Sequence, residues 1–229
     1  MRFCLVLVIS LLCLLPRASS EEKIALYLFT EEYPPWNFSL EGKVSGLNTE
    51  LIQLALTKLN YQGHFEIIPW GRAQLFTQTQ SNTCFYSAVR TPEREALYQW
   101  VGPLSHEYVQ LFSTDPNHPQ YSHFFEASKL RIGGQTADAF TDYGVAQGLK
   151  IERIAEIPVN LAMLQLNRID LWLAGSIGGP YIASLNDMRI YPVATSEKAF
   201  ELWLACNADM SPDIIQKMNT VLENIRVIL

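Results

Sequence analysis

Arg90-Thr91-Pro92-Glu93-Arg94-Glu95 sets two guanidinium groups directly behind an apolar run, Cys84 to Val89, that reads as a buried strand. In open α/β sheets the carboxyl ends of the strands are where ligands bind. A guanidinium at that edge offers a planar fork matched to a carboxylate. Pairing of Arg90 and Arg94 with Glu93, Glu95 or other surface acids is the competing reading. Pro69-Trp70-Gly71-Arg72 is a second candidate, because it opens a helix after a strand and could reach the same edge. The competing reading makes Trp70 a core aromatic and Arg72 a solvated charge, and packing is the favoured reading for Trp70 because large aromatics are more often buried. Catalytic chemistry is poorly supplied. His64, His106, His118 and His123 are unevenly spaced and suggest no third metal ligand. Cys84 opens an apolar strand, where a thiol is expected to be inert. There is no G-x-S-x-G elbow and no phosphate-binding glycine loop. No catalytic residue, metal or cofactor is therefore expected.

Positioning these groups requires alternating strands and helices. Strands are expected at Lys23 to Phe29, His64 to Ile68, Cys84 to Val89 and Tyr108 to Ser113. Helices are expected from Asn48 as N-cap through Leu59 and from Trp70 to Thr79. Thr114 to Gln120, polar and proline-containing, reads as a crossing between two lobes. The rhythm then repeats: strands at Leu130 to Gly133, Ile151 to Ile154, Asp170 to Ala174 and Arg189 to Val193 alternate with helices at Ala137 to Gly148, Pro158 to Leu166 and Pro180 to Leu185. A strand at Glu201 to Cys206 and a helix at Pro212 to Ile225, capped by Ser211, close the chain. Such βαβ rhythm means mostly parallel sheets flanked by helices, an α/β fold. The expected organisation is residues 21–110 and 196–229 in one lobe, with 111–195 inserted as the other.

The N-terminus has the three parts of a secretory signal: Met1-Arg2, an apolar run from Phe3 to Leu15, and small residues at Ala18-Ser19-Ser20. Its apolar run is shorter than a membrane span of ~20 residues, so cleavage after about Ser20 is expected, with no membrane insertion afterwards. Removing residues 1–20 takes away Arg2 and Arg17 and no acid, moving the net charge from −6 to −8. That acidity argues against nucleic acid and anionic membrane as partners. Cys84 and Cys206 survive cleavage; one disulfide or two buried thiols both remain open.

Tyr33-Pro34-Pro35-Trp36, Gly42 to Gly46 leading into the Leu47 helix, Thr91-Pro92-Glu93-Arg94, and Trp100-Val101-Gly102-Pro103-Leu104 follow one another in this order. That series resembles the family 3 extracellular solute-binding proteins of amino-acid ABC transporters. The resemblance implies a two-lobed, type II periplasmic-binding-protein-like clamp, acting as a monomer in the periplasm. It would capture a small carboxylate-bearing ligand for a transporter permease. It puts the ligand carboxylate on Arg94, with Arg90 nearby, and an aromatic stack on Tyr33 with Trp36. Further contacts fall around Tyr86 and Ser87 and the helix start at Gln135-Thr136, whose free N–H groups suit an anion. The acid that amino-acid binders of this family present to the ligand ammonium is replaced here by Gly175. A sensor domain, or a dehydratase acting on small carboxylic acids, are the alternatives the resemblance carries.

Overall fold

The computed structural model describes residues 23–226; the secretory signal read from residues 1–20 lies outside them. Along the chain run β1 (Ala25–Thr30), the short hairpin β2 (Phe38–Leu40) and β3 (Lys43–Ser45), α1 (Leu47–Lys58), β4 (Gln62–Ile67), α2 (Trp70–Thr79), β5 (Thr83–Val89), α3 (Pro92–Glu95), β6 (Tyr98–Glu107) and β7 (Val109–Ser113). Then come β8 (Ile132–Gln135), α4 (Ala139–Ala146), β9 (Ile151–Ile154), α5 (Ile157–Gln165), β10 (Leu171–Gly175), α6 (Gly178–Leu185), β11 (Tyr191–Thr195), β12 (Phe200–Asn207) and α7 (Pro212–Arg226).

Two five-stranded sheets result, ordered β4-β1-β5-β12-β6 and β9-β8-β10-β7-β11. In each, four strands run in one direction and a single strand, β12 or β7, runs against them. The opposed strand is in each case the one that has just arrived from the other sheet. Each sheet is packed on both faces, as parallel strands require. In the first lobe Leu26, Leu28, Ile52 and Leu222 fill one side, and Phe29, Trp70, Phe85 and Trp100 the other.

The two crossings lie side by side. Val109 and Ser196 exchange hydrogen bonds, Val109 N to Ser196 Oγ at 3.1 Å and Ser196 N to Val109 O at 2.8 Å. The chain changes sheet at Tyr108, not in the polar stretch Thr114 to Gln120, because β7 pairs with β10 and β11 of the second sheet. The apolar pattern of Tyr108 to Ser113 identifies a buried strand but is silent about which sheet receives it. Asn48 is not the cap of α1. Gly46 holds that place with φ 118°, and a Cβ there would meet the Trp36 carbonyl at 2.6 Å. Loop carbonyls satisfy the first helix donors, Leu47 N to Pro35 O at 3.0 Å and Asn48 N to Trp36 O at 2.9 Å.

Cys84 and Cys206 face each other across β5 and β12 and are joined as a disulfide closing 122 residues. On the chain-entropy account a loop of this length contributes about 4–5 kcal/mol. Replacing both cysteines by alanine is expected to lower the melting temperature by roughly 10 °C at this chain length. Calorimetry under non-reducing conditions checks this; an unchanged midpoint would show that the bridge does not form in solution.

Candidate functional site

The carboxyl ends of β1, β5, β8 and β10 converge between the lobes. They carry Glu31, Ser87 with Val89, Gln135 and Gly175 respectively, and these residues line one cavity. Tyr33, Trp70, Asp138, Phe140 and Trp172 complete most of its wall. Its volume is about 40 Å³, space for about three waters or for the head of a small solute.

The lobes meet on one carbonyl. Ala137, held at φ 58° just before α4, accepts Arg94 Nη2 at 2.8 Å, Trp70 Nε1 at 3.2 Å and Gln74 Nε2 at 3.2 Å. The other Nη of Arg94 donates to Val89 O at 3.1 Å. The guanidinium therefore reaches the mouth of the cavity with both Nη atoms bonded to backbone of its own protein. Gln135 bridges the lobes a second time, donating from Nε2 to Glu31 Oε2.

Glu107, the last residue of β6, sits where the chain crosses from one sheet to the other. Its carboxylate, almost fully buried, accepts Tyr33 OH, Trp36 Nε1 at 3.0 Å, Ile177 N at 3.0 Å and Gly178 N at 3.2 Å. Burial pushes its carboxyl above the ordinary range, and these four bonds pull against that. A Cβ at Gly175 would overlap the Glu107 carboxylate and the Tyr33 hydroxyl. The glycine is therefore not a simple loss of an acid. Glu107 fills the space beside it.

Glu31 is pushed up to about 8, first by burial and further by the neighbouring charge of Asp138, while the Gln135 bond opposes the shift. Asp138 is raised too, by burial, against the pull of the Thr141 N–H and the Arg94 charge. Asp138 caps α4, accepting Thr141 N at 3.1 Å. Among the described residues the ion pairs are Arg90–Glu95, Arg131–Asp170, Arg153–Asp142 and Lys217–Asp213, and none involves Glu31, Asp138 or Glu107. No group of metal-ligating side chains occurs among the described residues.

Of the residues singled out from sequence, Tyr33, Trp70, Ser87 and Gln135 line the cavity. Trp70 is also core, edge-on to Phe85. Arg94 sits at the rim. Trp36 lies behind, bonded to Glu107. Three residues face elsewhere. Tyr86 is buried in the first lobe's core with its hydroxyl 2.8 Å from Thr49 Oγ1. Arg90 lies on the outer face, paired with Glu95 at 2.5 Å and stacked over Trp203. Thr136 is exposed, and its N–H is bonded to Ile154 O at 3.0 Å. Three acids, Glu31, Asp138 and Glu107, carry most of the site's charge yet stand out little in the sequence. The available signal was position: Glu31 directly follows an apolar strand, and Asp138 precedes a helix as an N-cap residue would.

Together the two sheets, the paired crossings and the inserted second lobe define the two-lobed periplasmic-binding-protein fold. No protein-family model matches the chain, and no curated protein matches it by sequence. Solved structures do match in fold. Holo ArgBP from T. maritima is 14% identical with a TM-score of 0.78, covering 88% of this chain and 90% of its own. An ancestral arginine-binding protein bound to arginine is 16% identical, TM-score 0.78, covering 89% and 92%. A histidine kinase sensor domain with similarity to periplasmic binding proteins is 16% identical, TM-score 0.82, covering 90% and 92%.

Proposed function

We propose that this protein is an exported clamp that captures a small polar solute between its lobes, with Tyr33, Trp70, Ser87 and Gln135 in contact with it. The observation that carries this reading is the cavity itself, walled from both lobes at the carboxyl ends of four strands and shut by three donors on Ala137. The binding proteins of similar fold support the same reading. The leader ending near Ser20 would deliver the chain to the periplasm, and a transporter permease would take the solute from the closed form. No helix among the described residues is long and apolar enough to cross a membrane. A sensory role is the second reading, favoured by the histidine kinase sensor domain of similar fold; it shares the clamp and differs only in the partner that reads closure.

Hinge closure around a ligand makes the molecule more compact. Solution scattering is expected to give a smaller radius of gyration with saturating solute than without it; identical values would remove the clamp. Arg94→Ala is expected to leave the fold intact and to weaken capture roughly ten- to a hundredfold, the range for losing charged hydrogen bonds worth about 1.5–3 kcal/mol. Unchanged affinity with unchanged compaction would show that Arg94 has no part in closure.

A further inference from the structure

We infer that the solute is a small organic cation, an amine or quaternary ammonium, held by Glu31 and Asp138 against the rings of Tyr33, Trp70, Phe140 and Trp172, and that no ligand carboxylate is required. This rests on the clamp reading above and names the chemistry of its cavity.

Three places where this fold could hold an anion already carry bonds from the protein itself. Both Nη atoms of Arg94 are bonded to Val89 O and Ala137 O. The start of α4, where an anion was expected, is closed by the Asp138 carboxylate on Thr141 N. The start of α6 is closed in the same way, by Glu107 on Ile177 N and Gly178 N. No lysine, arginine or histidine lines the cavity, whereas two carboxylates do. An anion entering this space would meet two acidic side chains in the wall, while Arg94, the nearest cation, lies outside the lining with a donor of each Nη turned to backbone.

A cation meets the reverse situation. Glu31 and Asp138 approach the same space from opposite lobes, so a positive charge between them bonds both and draws the lobes together. Tyr33, Trp70, Phe140 and Trp172 line the same space, and an aromatic ring attracts a desolvated cation at its face. Glu107 is not available for this role, since its oxygens already accept four donors. The protonation of the empty site agrees: with no counter-charge Glu31 keeps its proton up to about pH 8. The groups around it are Tyr33 and Glu107 on the first-lobe and hinge side, and Asp138 and Asp142 on the second, with Arg94 beside Asp138. Asp142 is paired with Arg153 and the Tyr33 phenol is uncharged in this range, which leaves Asp138 and Glu107 as the acids that favour a positive guest, against Arg94. Capture at neutral pH displaces the Glu31 proton, so affinity is expected to rise with pH and level off above about 8.

The test is titration calorimetry of the purified protein against ethylamine, putrescine and choline as cations, propionate and succinate as anions, and L-alanine and L-glutamine as zwitterions, at pH 6.5 and pH 8.5. At least one cation is expected to bind, at least tenfold more tightly at pH 8.5, releasing a proton at pH 6.5. Glu31→Gln is expected to weaken that binding at least tenfold and to abolish its pH dependence, with its melting temperature confirming that the variant folds. Binding of propionate or succinate without any amine overturns the inference and leaves the clamp standing. So does binding of L-alanine or L-glutamine in which the cations fail, because a carboxylate is then required. Cation binding that Glu31→Gln does not alter overturns the assignment of the site. No binding by any probe, with no change in radius of gyration, overturns both the cation and the clamp.

Discussion

Gly175→Asp is expected to destabilise the protein severely and to leave solute capture no better. In sequence terms the substitution looks restorative, since it returns an acid to the place where amino-acid binders of the resembled family carry one. The geometry argues the opposite. The first side-chain carbon at 175 would overlap both the Glu107 carboxylate and the Tyr33 hydroxyl, which are themselves hydrogen-bonded. Relieving the overlap means breaking some of the four bonds to Glu107 at the hinge, and the new carboxylate arrives beside an existing one. Overpacking alone costs about 1–3 kcal/mol, and an uncompensated buried charge about 3–5 kcal/mol. A fall in melting temperature of at least 10 °C is expected on that scale. The pair is also reciprocal. Glu107→Ala alone strands four donors, whereas Gly175→Asp with Glu107→Ala is expected to recover a large part of what either single change loses, a coupling that a double-mutant cycle reads directly. Strict additivity would mean that 107 and 175 do not compete for one space. A Gly175→Asp protein as stable as the parent would remove Glu107 from the hinge altogether.

The distinction between what the sequence carries and what it hides follows from the range of the interactions. Helix α2 falls on Trp70–Thr79 as its pattern predicts, and β9 on Ile151–Ile154, because local periodicity and flanking punctuation decide such elements. The ten-residue strand β6 was not legible: Gly102-Pro103 interrupts its pattern, although the chain pairs with β12 on both sides of the interruption. The sheet to which β7 belongs was hidden for another reason. Pairing partners are set by long-range contacts, and a buried strand has the same composition in either lobe. The acids illustrate the same limit at the site. Glu31, Asp138 and Glu107 are ordinary surface residue types, and only the convergence of β1, β6 and the β8–α4 connection makes them a charged cavity and a buried carboxylate at the crossing. Arg94 was legible as a candidate position, because the carboxyl end of a buried strand is where ligands bind in open α/β sheets. That its donors go to Val89 and Ala137 required the lobes to be in place.

The same convergence makes the empty protein sensitive to alkali in a window where most domains are not. A carboxyl raised in the folded state binds more protons folded than unfolded between its two pKa values, so its contribution is complete at low pH and fades as pH rises. For Glu31 that window runs from about 4.5 to about 8. A shift of this size corresponds to at most about 5 kcal/mol. Asp138 and Glu107, also raised by burial, act with the same sign. The lowered carboxyls, Glu93, Glu95 and Asp170, act with the opposite sign but below the ordinary carboxylate range. Tyr33 and Tyr86, raised above 10, enter only in stronger alkali. The melting temperature of the solute-free protein is therefore expected to fall steadily from pH 5 to pH 8.5 at fixed ionic strength. Glu31→Gln removes the largest titration in that window and is expected to flatten the curve. A bound cation is expected to flatten it as well, because it supplies the charge that the proton otherwise neutralises. A solute-free profile that is flat between pH 5 and 8.5, or one that Glu31→Gln leaves unchanged, would mean that the Glu31 carboxyl is open to solvent and that the two lobes do not close over it when the site is empty.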